Sequence, residues 1–328
     1  MKRGKKLIYL SSTLILVILA YWGVSKINEA QESAQEDTST PLLSLTEDSI
    51  SQICFEYNND SITLSSHSDS WVYPDDLAFP VDQSFPETMV TNLSTLSASK
   101  VIDEPEALAE YGLDQPVCTI QVTTADTQYK LEIGNESTLS SEYYLSIGDD
   151  KVYLVSDALL SAFSYELDDL LKLEDIPDMT DVQSFTIQSD TQNMEIDYLE
   201  ESDLTYSDDY VWFMNSDDDY LALDSSLTTS LIENISNLTW TSCVSYNATT
   251  NDLTNYGLDH PAVTATLTYL ESEDATTSRS FTLEIGNLVD GFCYARIAGS
   301  PMVYLINGSI SDTLLNTSYE DLRPDDIG

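Results

Sequence analysis

One phrase occurs twice in this chain, YGLDQPV from Tyr111 and YGLDHPA from Tyr256, and it constrains the fold because its flanks recur with it. LEIGN at 131–135 returns at 283–287, VYLV at 152–155 returns as VYLI at 303–306, and SYE at 164–166 returns at 318–320. The offset grows from 145 to 152 because the second copy carries the longer turn YLESEDATTSRS. Upstream, Asp82, Asn92, Leu93 and Leu96 fall in register with Asp224, Asn234, Ile235 and Leu238. A repeat of this length signifies two whole domains, 45–177 and 178–328, and not a solenoid of short units. A chain of 328 residues is long enough for both to bury a core.

Each copy reads alike. ISQICFEY, ITLSS and WVY predict short strands, matched in the second copy by VQSFTIQ, MEIDYL and YVWFM. Helices are expected over FPETMVTNLSTLSA and SLTTSLIENISNL, with Asp82 and Asp224 as N-caps, since a carboxylate accepts from the unpaired amides of a first turn. Four further strands, VCTIQVTT, QYKLEIG, EYYLSIG and KVYLVS, close the first unit, the last two joined by a tight turn at GDDK. Leu131 and Ile133 alternate with Lys130 and Glu132, which places one face of that strand in water. The fold class is therefore α+β: two tandem homologous domains, each a mainly antiparallel sheet with a few short helices. The repeated phrase itself reads as a joint. DEPEALAE, capped by Asp103, and NDLTN are short helix candidates; Gly112-Leu113 and Gly257-Leu258 end them, and Pro116 and Pro261 prevent resumption.

Charge is divided sharply. Of twelve Lys and Arg residues, Lys2, Arg3, Lys5, Lys6 and Lys26 precede position 30, leaving seven against 56 of the 57 acidic residues. A surface so acidic has no basic stripe to engage a phosphate backbone, so nucleic acid is excluded as a partner. The basic residues 1–6 precede Leu7 to Val24, eighteen positions without a charge. A helix rising about 1.5 Å per residue over that run approaches the roughly 30 Å core of a bilayer. The expectation is one N-terminal transmembrane helix at 7–24, a partner for the lipid bilayer, with the N-terminus cytoplasmic, a tether at 25–44 and both domains extracytoplasmic. The competing reading is a cleaved signal peptide, but the run is longer than the usual apolar region and its one small-x-small site, Gly23-Val24-Ser25, is weak.

YGLDxP, then two strands ending in IG, then a tyrosine-rich strand and VYL[VI] before a short helix, resembles the bacterial domain of unknown function 4340 family, in both copies. The resemblance implies a bacterial envelope protein with one N-terminal membrane segment, of a kind that often accompanies auxiliary components of gliding-motility-type ABC transporters. It implies no activity.

Catalytic signatures are missing: no GxSxG, HExxH, GxGxxG, P-loop or EF-hand pattern occurs. His67 sits in the polar run SSHSDS, and His260 holds the place of Gln115, so a site common to both copies cannot need a histidine there. The matched acids are Asp114 with Asp259 and Glu132 with Glu284, the latter pair expected on a solvated face. Asp217-Asp218-Asp219, with Asp208 and Asp209, offers oxygen ligands for Ca²⁺ but lacks the alternating spacing and fixed glycine of a known loop. Cys54, Cys118, Cys243 and Cys293 permit three disulfide pairings, yet no CxxC occurs and the positions are not equivalent between copies; free buried thiols are expected. Tyr144 and Tyr153 match Tyr294 and Tyr304, and Trp71 lies near the place of Trp212, so these read as shared core or sheet positions. No catalytic, cofactor or metal site is assigned. The expected function is a non-enzymatic binding or scaffolding component of the cell envelope with an envelope or transporter protein partner. The alternatives are an extracytoplasmic hydrolase using a carboxylate pair and a Ca-responsive adhesion module.

Overall fold

The computed structural model describes residues 39–68, 70–200, 210–216, 219–272, 275 and 277–325. The expected membrane segment at 7–24 lies outside them; among the described residues no helix is long and apolar enough to cross a membrane. The chain forms two compact α+β units. Of the described residues, unit 1 holds 39–74 and 83–170, and unit 2 holds 75–82 and 171–325.

In unit 1 the strands are β1 (Thr40–Pro41), β2 (Ile50–Tyr57), β3 (Asp60–His67), β4 (Ser70–Val72), β5 (Ser97–Ala98), β6 (Lys100–Ile102), β7 (Cys118–Thr124), β8 (Gln128–Glu136), β9 (Glu142–Ser146) and β10 (Val152–Ser156). Eight form one antiparallel sheet in the order β4-β3-β2-β7-β8-β9-β10-β6, while β1 pairs with β5. The end of the expected tether thus packs on the unit: Thr40 and Pro41 pair with β5, and Leu43 is buried.

Unit 2 repeats the plan with β11 (Asp181–Ser189), β12 (Asn193–Tyr198), β13 (Trp212–Ser216), β14 (Asp219–Leu223), β15 (Ser242–Ser245), β16 (Val263–Leu270), β17 (Arg279–Val289), β18 (Phe292–Ile297) and β19 (Val303–Asn307). Their order, β14-β13-β12-β11-β16-β17-β18-β19-β15, matches that of unit 1 with β14 added at one edge. In β16, Val263, Ala265, Leu267 and Tyr269 are buried and alternate with half-buried Thr264, Thr266 and Thr268, the period of two that a one-sided sheet imposes.

Helices cover that apolar face in each unit, a long one joined by Asp157–Ser161 in unit 1 and by Gly308–Asn316 in unit 2, which bury Leu159 and Leu314. Ser84–Ser94 buries Pro86, Met89, Val90 and Leu93; Ser225–Ser236 buries Thr228, Leu231, Ile232 and Ile235, position for position the same stripe. A fully buried Leu or Ile contributes roughly 1.5–3 kcal/mol, so the stripe and the sheet beneath it dominate the stability of each unit.

The two helices start differently. Asp224 caps as expected, its carboxylate accepting from the amides of Ser226 and Leu227 at 2.9 and 3.0 Å. In unit 1 the cap position is taken by Gln83, not Asp82, and Gln83 makes no cap bond. Its amide instead brackets the edge strand β4, accepting from Trp71 N at 2.7 Å and donating to Trp71 O at 3.0 Å. The side chain thereby occupies backbone groups that a sheet edge would otherwise offer to another strand. In unit 2, β14 covers the corresponding strand β13.

Hydrogen bonds from Ser226 Oγ and from the Leu227 and Ser226 amides hold the Asp224 carboxyl below its usual value. A depressed folded-state value means that the cap stabilises fully above the unfolded carboxylate range and is lost as pH falls through the lowered value. Asp224→Ala is expected to cost about 1 kcal/mol at pH 7 and less as the pH falls below about 4, read by urea denaturation at both pH values.

Candidate functional site

The repeated phrase builds the same joint twice. Leu108–Tyr111 is a single 3₁₀ turn and Thr250–Tyr256 an α-helix; each ends on a left-handed glycine, Gly112 at φ +69° and Gly257 at φ +71°. In both, the amides after the last turn reach back, Gly112 to Ala109 and Leu113 to Leu108, Gly257 to Thr254 and Leu258 to Leu253, a paired closure of the helix end. Leu113 and Leu258 then bury their side chains. Beneath lies the other repeated motif. A Cβ on Gly134 would sit 2.2 Å from the carbonyl oxygen of Tyr111, and one on Gly286 would sit 2.2 Å from that of Tyr256. YGLD and LEIGN recur together because they are two halves of one close backbone contact.

The predicted cap of the first short helix is corrected. Asp103 forms an exposed ion pair with Lys151 at 2.6 Å, while Ala107 holds the cap position of a turn that starts only at Leu108. Pro105 disfavours helical backbone at the residue before it, which delays the start. In unit 2, Thr249 and Asp252 form a reciprocal capping box and the helix gains a further turn.

The matched acids differ in their surroundings. Glu284 lies on the outward face of β17, alternating with buried Leu283 and Ile285, but is half-buried there: it pairs with Arg296 Nε at 2.5 Å, and the same guanidinium donates to the carbonyl of Leu258 at 3.3 Å, tying the joint to β18. Glu132 faces Lys130 at 2.5 Å and is also half-buried. Asp114 and Asp259 are exposed, Asp259 accepting from Thr254 Oγ1 at 3.0 Å. His67 and His260 are exposed. Asp208, Asp209, Asp217 and Asp218 lie outside the described residues, and Asp219 is exposed in β14. Among the described residues no group of three or more His, Cys, Asp or Glu gathers to hold a metal.

None of the four cysteines is in a disulfide; Cys118 and Cys293 are buried and Cys54 and Cys243 half-buried. Burial, reinforced by Glu56, pushes the Cys118 thiol up to about 12, so it stays protonated and inert at neutral pH.

Tyr153 and Tyr304 are buried, as sheet positions shared by the copies; Tyr144 and Tyr294 are half-buried, each against the tyrosine of its own YGLD phrase, Tyr111 and Tyr256, at ring distances of 5.0 and 4.6 Å. Tyr304 anchors a polar cluster inside unit 2 that sequence did not signal. Its ring stacks on Trp240 at 4.0 Å. Its hydroxyl accepts from the Glu174 amide at 2.9 Å and donates to the Glu174 carboxylate at 3.2 Å, which also accepts from Ser300 Oγ at 2.9 Å. Trp240 Nε1 donates to the Glu174 carbonyl at 2.9 Å. Burial raises the Tyr304 phenol well above its usual value, keeping it a neutral donor.

Two grooves occupy equivalent places. In unit 1 a groove of about 700 Å³ runs between the Ser84–Ser94 helix, through Glu87, Val90 and Thr91, and the hairpin bearing Ser66 and Trp71. In unit 2 one of about 460 Å³ runs between Thr229, Ile232 and Glu233 of the Ser225–Ser236 helix and Tyr198 and Trp212. The strand registers place Ser66 with Tyr198, and the helix stripe places Glu87 with Thr229, Val90 with Ile232 and Thr91 with Glu233. A further groove of about 710 Å³ in unit 1 opens beside the YGLDQP turn, where Gln115 and Pro116 meet the β2–β3 hairpin turn.

These features define a class: a duplicated α+β protein of two antiparallel sheets, each covered by helices on its apolar face and locked by the YGLD and IGN joint. The chain belongs to the family described as Domain of unknown function (DUF4340), whose model matches 71–209 and 212–327. Both matches open at a tryptophan strand, at Trp71 in β4 and at Trp212 in β13, which hold equivalent places in the two large sheets, and the first match continues through the β11–β12 hairpin of unit 2. No curated protein and no solved structure matches the chain.

Proposed function

We propose that the protein is a single-pass envelope component, anchored through 7–24, whose two extracytoplasmic units bind a protein partner without catalysing a reaction. The observation that carries this reading is the pair of equivalent grooves between the covering helix and the tryptophan hairpin. A doubled surface with different linings, Glu87 and Ser66 in one and Thr229 and Tyr198 in the other, suits two linked contacts to one assembly, where the second contact gains from effective concentration. The family resemblance supports a transporter of the ABC type as that assembly. The anchor reading rests on the uncharged run from Leu7 to Val24 behind four basic residues.

The test is photo-crosslinking in intact cells from Glu87 and from Thr229, with the exposed loop residue Asp126 as control. Capture of the same partner from both grooves and not from Asp126 is the expected result. Different adducts or none from the grooves, or protection of both units from protease added outside spheroplasts, would overturn the reading. So would glycan hydrolysis by the purified protein that single acid-to-amide changes abolish.

A further inference from the structure

The groove beside the YGLDQP turn has a lining that the fold does not require. Tyr57 ends β2 opposite Cys118, and Tyr143 lies in β9 opposite Glu136 and Val155; both are half-buried and present ring surface to the groove. Around them stand Asn58, Asn59, Gln115 and Glu56. None of these six side chains hydrogen-bonds another described residue. Three amides, each offering two donors and an acceptor oxygen, two phenols and one carboxylate therefore converge on a single space with their bonding capacity free.

Unit 2 provides an internal comparison. The strand registers put Gln188 in the place of Glu56, Ser189 in that of Tyr57 and Cys293 in that of Tyr143. Asp190 and Thr191 follow Ser189 where Asn58 and Asn59 follow Tyr57, and His260 stands for Gln115. The sheet forms equally well with those residues. Asn58 and Asn59, at φ 51° and 70°, satisfy the tight hairpin turn, but the turn demands neither two tyrosines nor Gln115 beside it.

The chemistry selects a ligand. Glu56 is the one charged residue on the lining, and no cation is there to receive a phosphate, sulfate or carboxylate. Aromatic faces together with Pro116, Val117 and Leu160 suit the C–H faces of pyranose rings, and amides that both donate and accept suit their hydroxyls. The volume lies within the span of roughly 300–1,000 Å³ that small-molecule sites occupy. Gln115 stands two residues after buried Leu113, next to the Gly134–Tyr111 contact, and the asparagines sit on a two-residue turn, so the backbone that carries the polar groups is fixed before a ligand arrives. We propose that this groove binds a neutral oligosaccharide. The proposal rests on the lining alone and is independent of the partner-binding grooves.

The experiment is ligand-observed saturation-transfer NMR on the full chain in a non-glycosidic detergent, with maltotetraose, cellotetraose and tetra-N-acetylchitotetraose as probes. Transfer to at least one tetrasaccharide is expected, and the responding probe separates a hydroxyl-only glucan from an N-acetylated strand. Asn58→Gly with Asn59→Gly and Gln115→Ala, which keeps the positive-φ turn, should weaken binding about tenfold or more, since each lost hydrogen bond is worth roughly 0.5–1.5 kcal/mol. Tyr143→Phe, which preserves the ring in β9, should weaken it about threefold. His260→Ala, at the equivalent place in unit 2, should leave it unchanged. No transfer to any probe, or binding that neither the triple variant nor Tyr143→Phe reduces, would overturn the site.

Discussion

Gly134→Ala is expected to lower the stability of unit 1 by about 3 kcal/mol, far more than alanine at a glycine of positive φ with free space around it. The new methyl carbon would lie 2.2 Å from the Tyr111 carbonyl oxygen and 3.1 Å from Leu113 Cδ2. A backbone atom cannot swing aside, so either β8 or the turn after Tyr111 must move, and Leu113 must leave its buried position. Gly112→Ala meets the Asn135 side chain at 2.5 Å, which can rotate, and retains the strain of φ +69°, for a cost of about 2 kcal/mol. Gly148→Ala, at φ +83° with nothing within 4 Å, bears only the left-handed strain of about 1 kcal/mol. Urea denaturation of the three variants should rank them in that order. Equal midpoints for Gly134→Ala and Gly148→Ala would show that the joint is not a steric lock.

Tyr304→Ala should cost roughly 4 kcal/mol in unit 2, because it removes a fully buried ring stacked on Trp240 and leaves a cavity. Tyr304→Phe keeps the ring but strips the Glu174 amide of its acceptor and the Glu174 carboxylate of one donor, at a cost of about 2 kcal/mol. Because Trp240 touches both Glu174 and Tyr304, its fluorescence during denaturation reports the cluster directly. A phenylalanine variant as unstable as the alanine variant would mean that the hydroxyl network, not the stack, carries the energy.

Much of the fold was legible because it is periodic or repeated. Alternation in QYKLEIG reports burial directly, and Leu131 and Ile133 are buried while Lys130 and Glu132 between them are not; the helix expected over SLTTSLIENISNL forms at Ser225–Ser236 behind its Asp224 cap. Gly112 and Gly257 announced their left-handed turns through the proline and leucine that follow. What escaped reading was contact between segments distant in the chain. Gly134 is not in a positive-φ turn, so only its steric approach to Tyr111 explains it. Glu284 has the strand alternation of a solvated residue, yet Arg296 on the neighbouring strand draws it under cover. Gln83 displaced Asp82 from the cap because its side chain is needed along the edge of β4. The candidate glycan groove was invisible for the same reason: Tyr57, Gln115 and Tyr143 become neighbours only through sheet register and the joint. YGLDQP was read as structural, and Gly112 and Leu113 are; the two residues after Asp114, Gln115 and Pro116, form part of the groove wall.

The assignment of residues 75–82 to unit 2 bears on the order in which this protein is made. Asp76 accepts from Tyr246 Oη at 2.6 Å, and Phe79 packs edge-on against the same ring at 5.3 Å. Tyr246 follows Asp76 by 170 residues, and Val81 bridges to Leu171. At a ribosomal pace of about 5–20 residues per second, the sheet of unit 1 is synthesised in full while this segment still waits roughly ten seconds or more for its aromatic partner. Residues 75–82 are thus the last piece of the first half of the chain to find their place. A chain truncated after Leu170 should expose them to protease while β2 through β10 are protected.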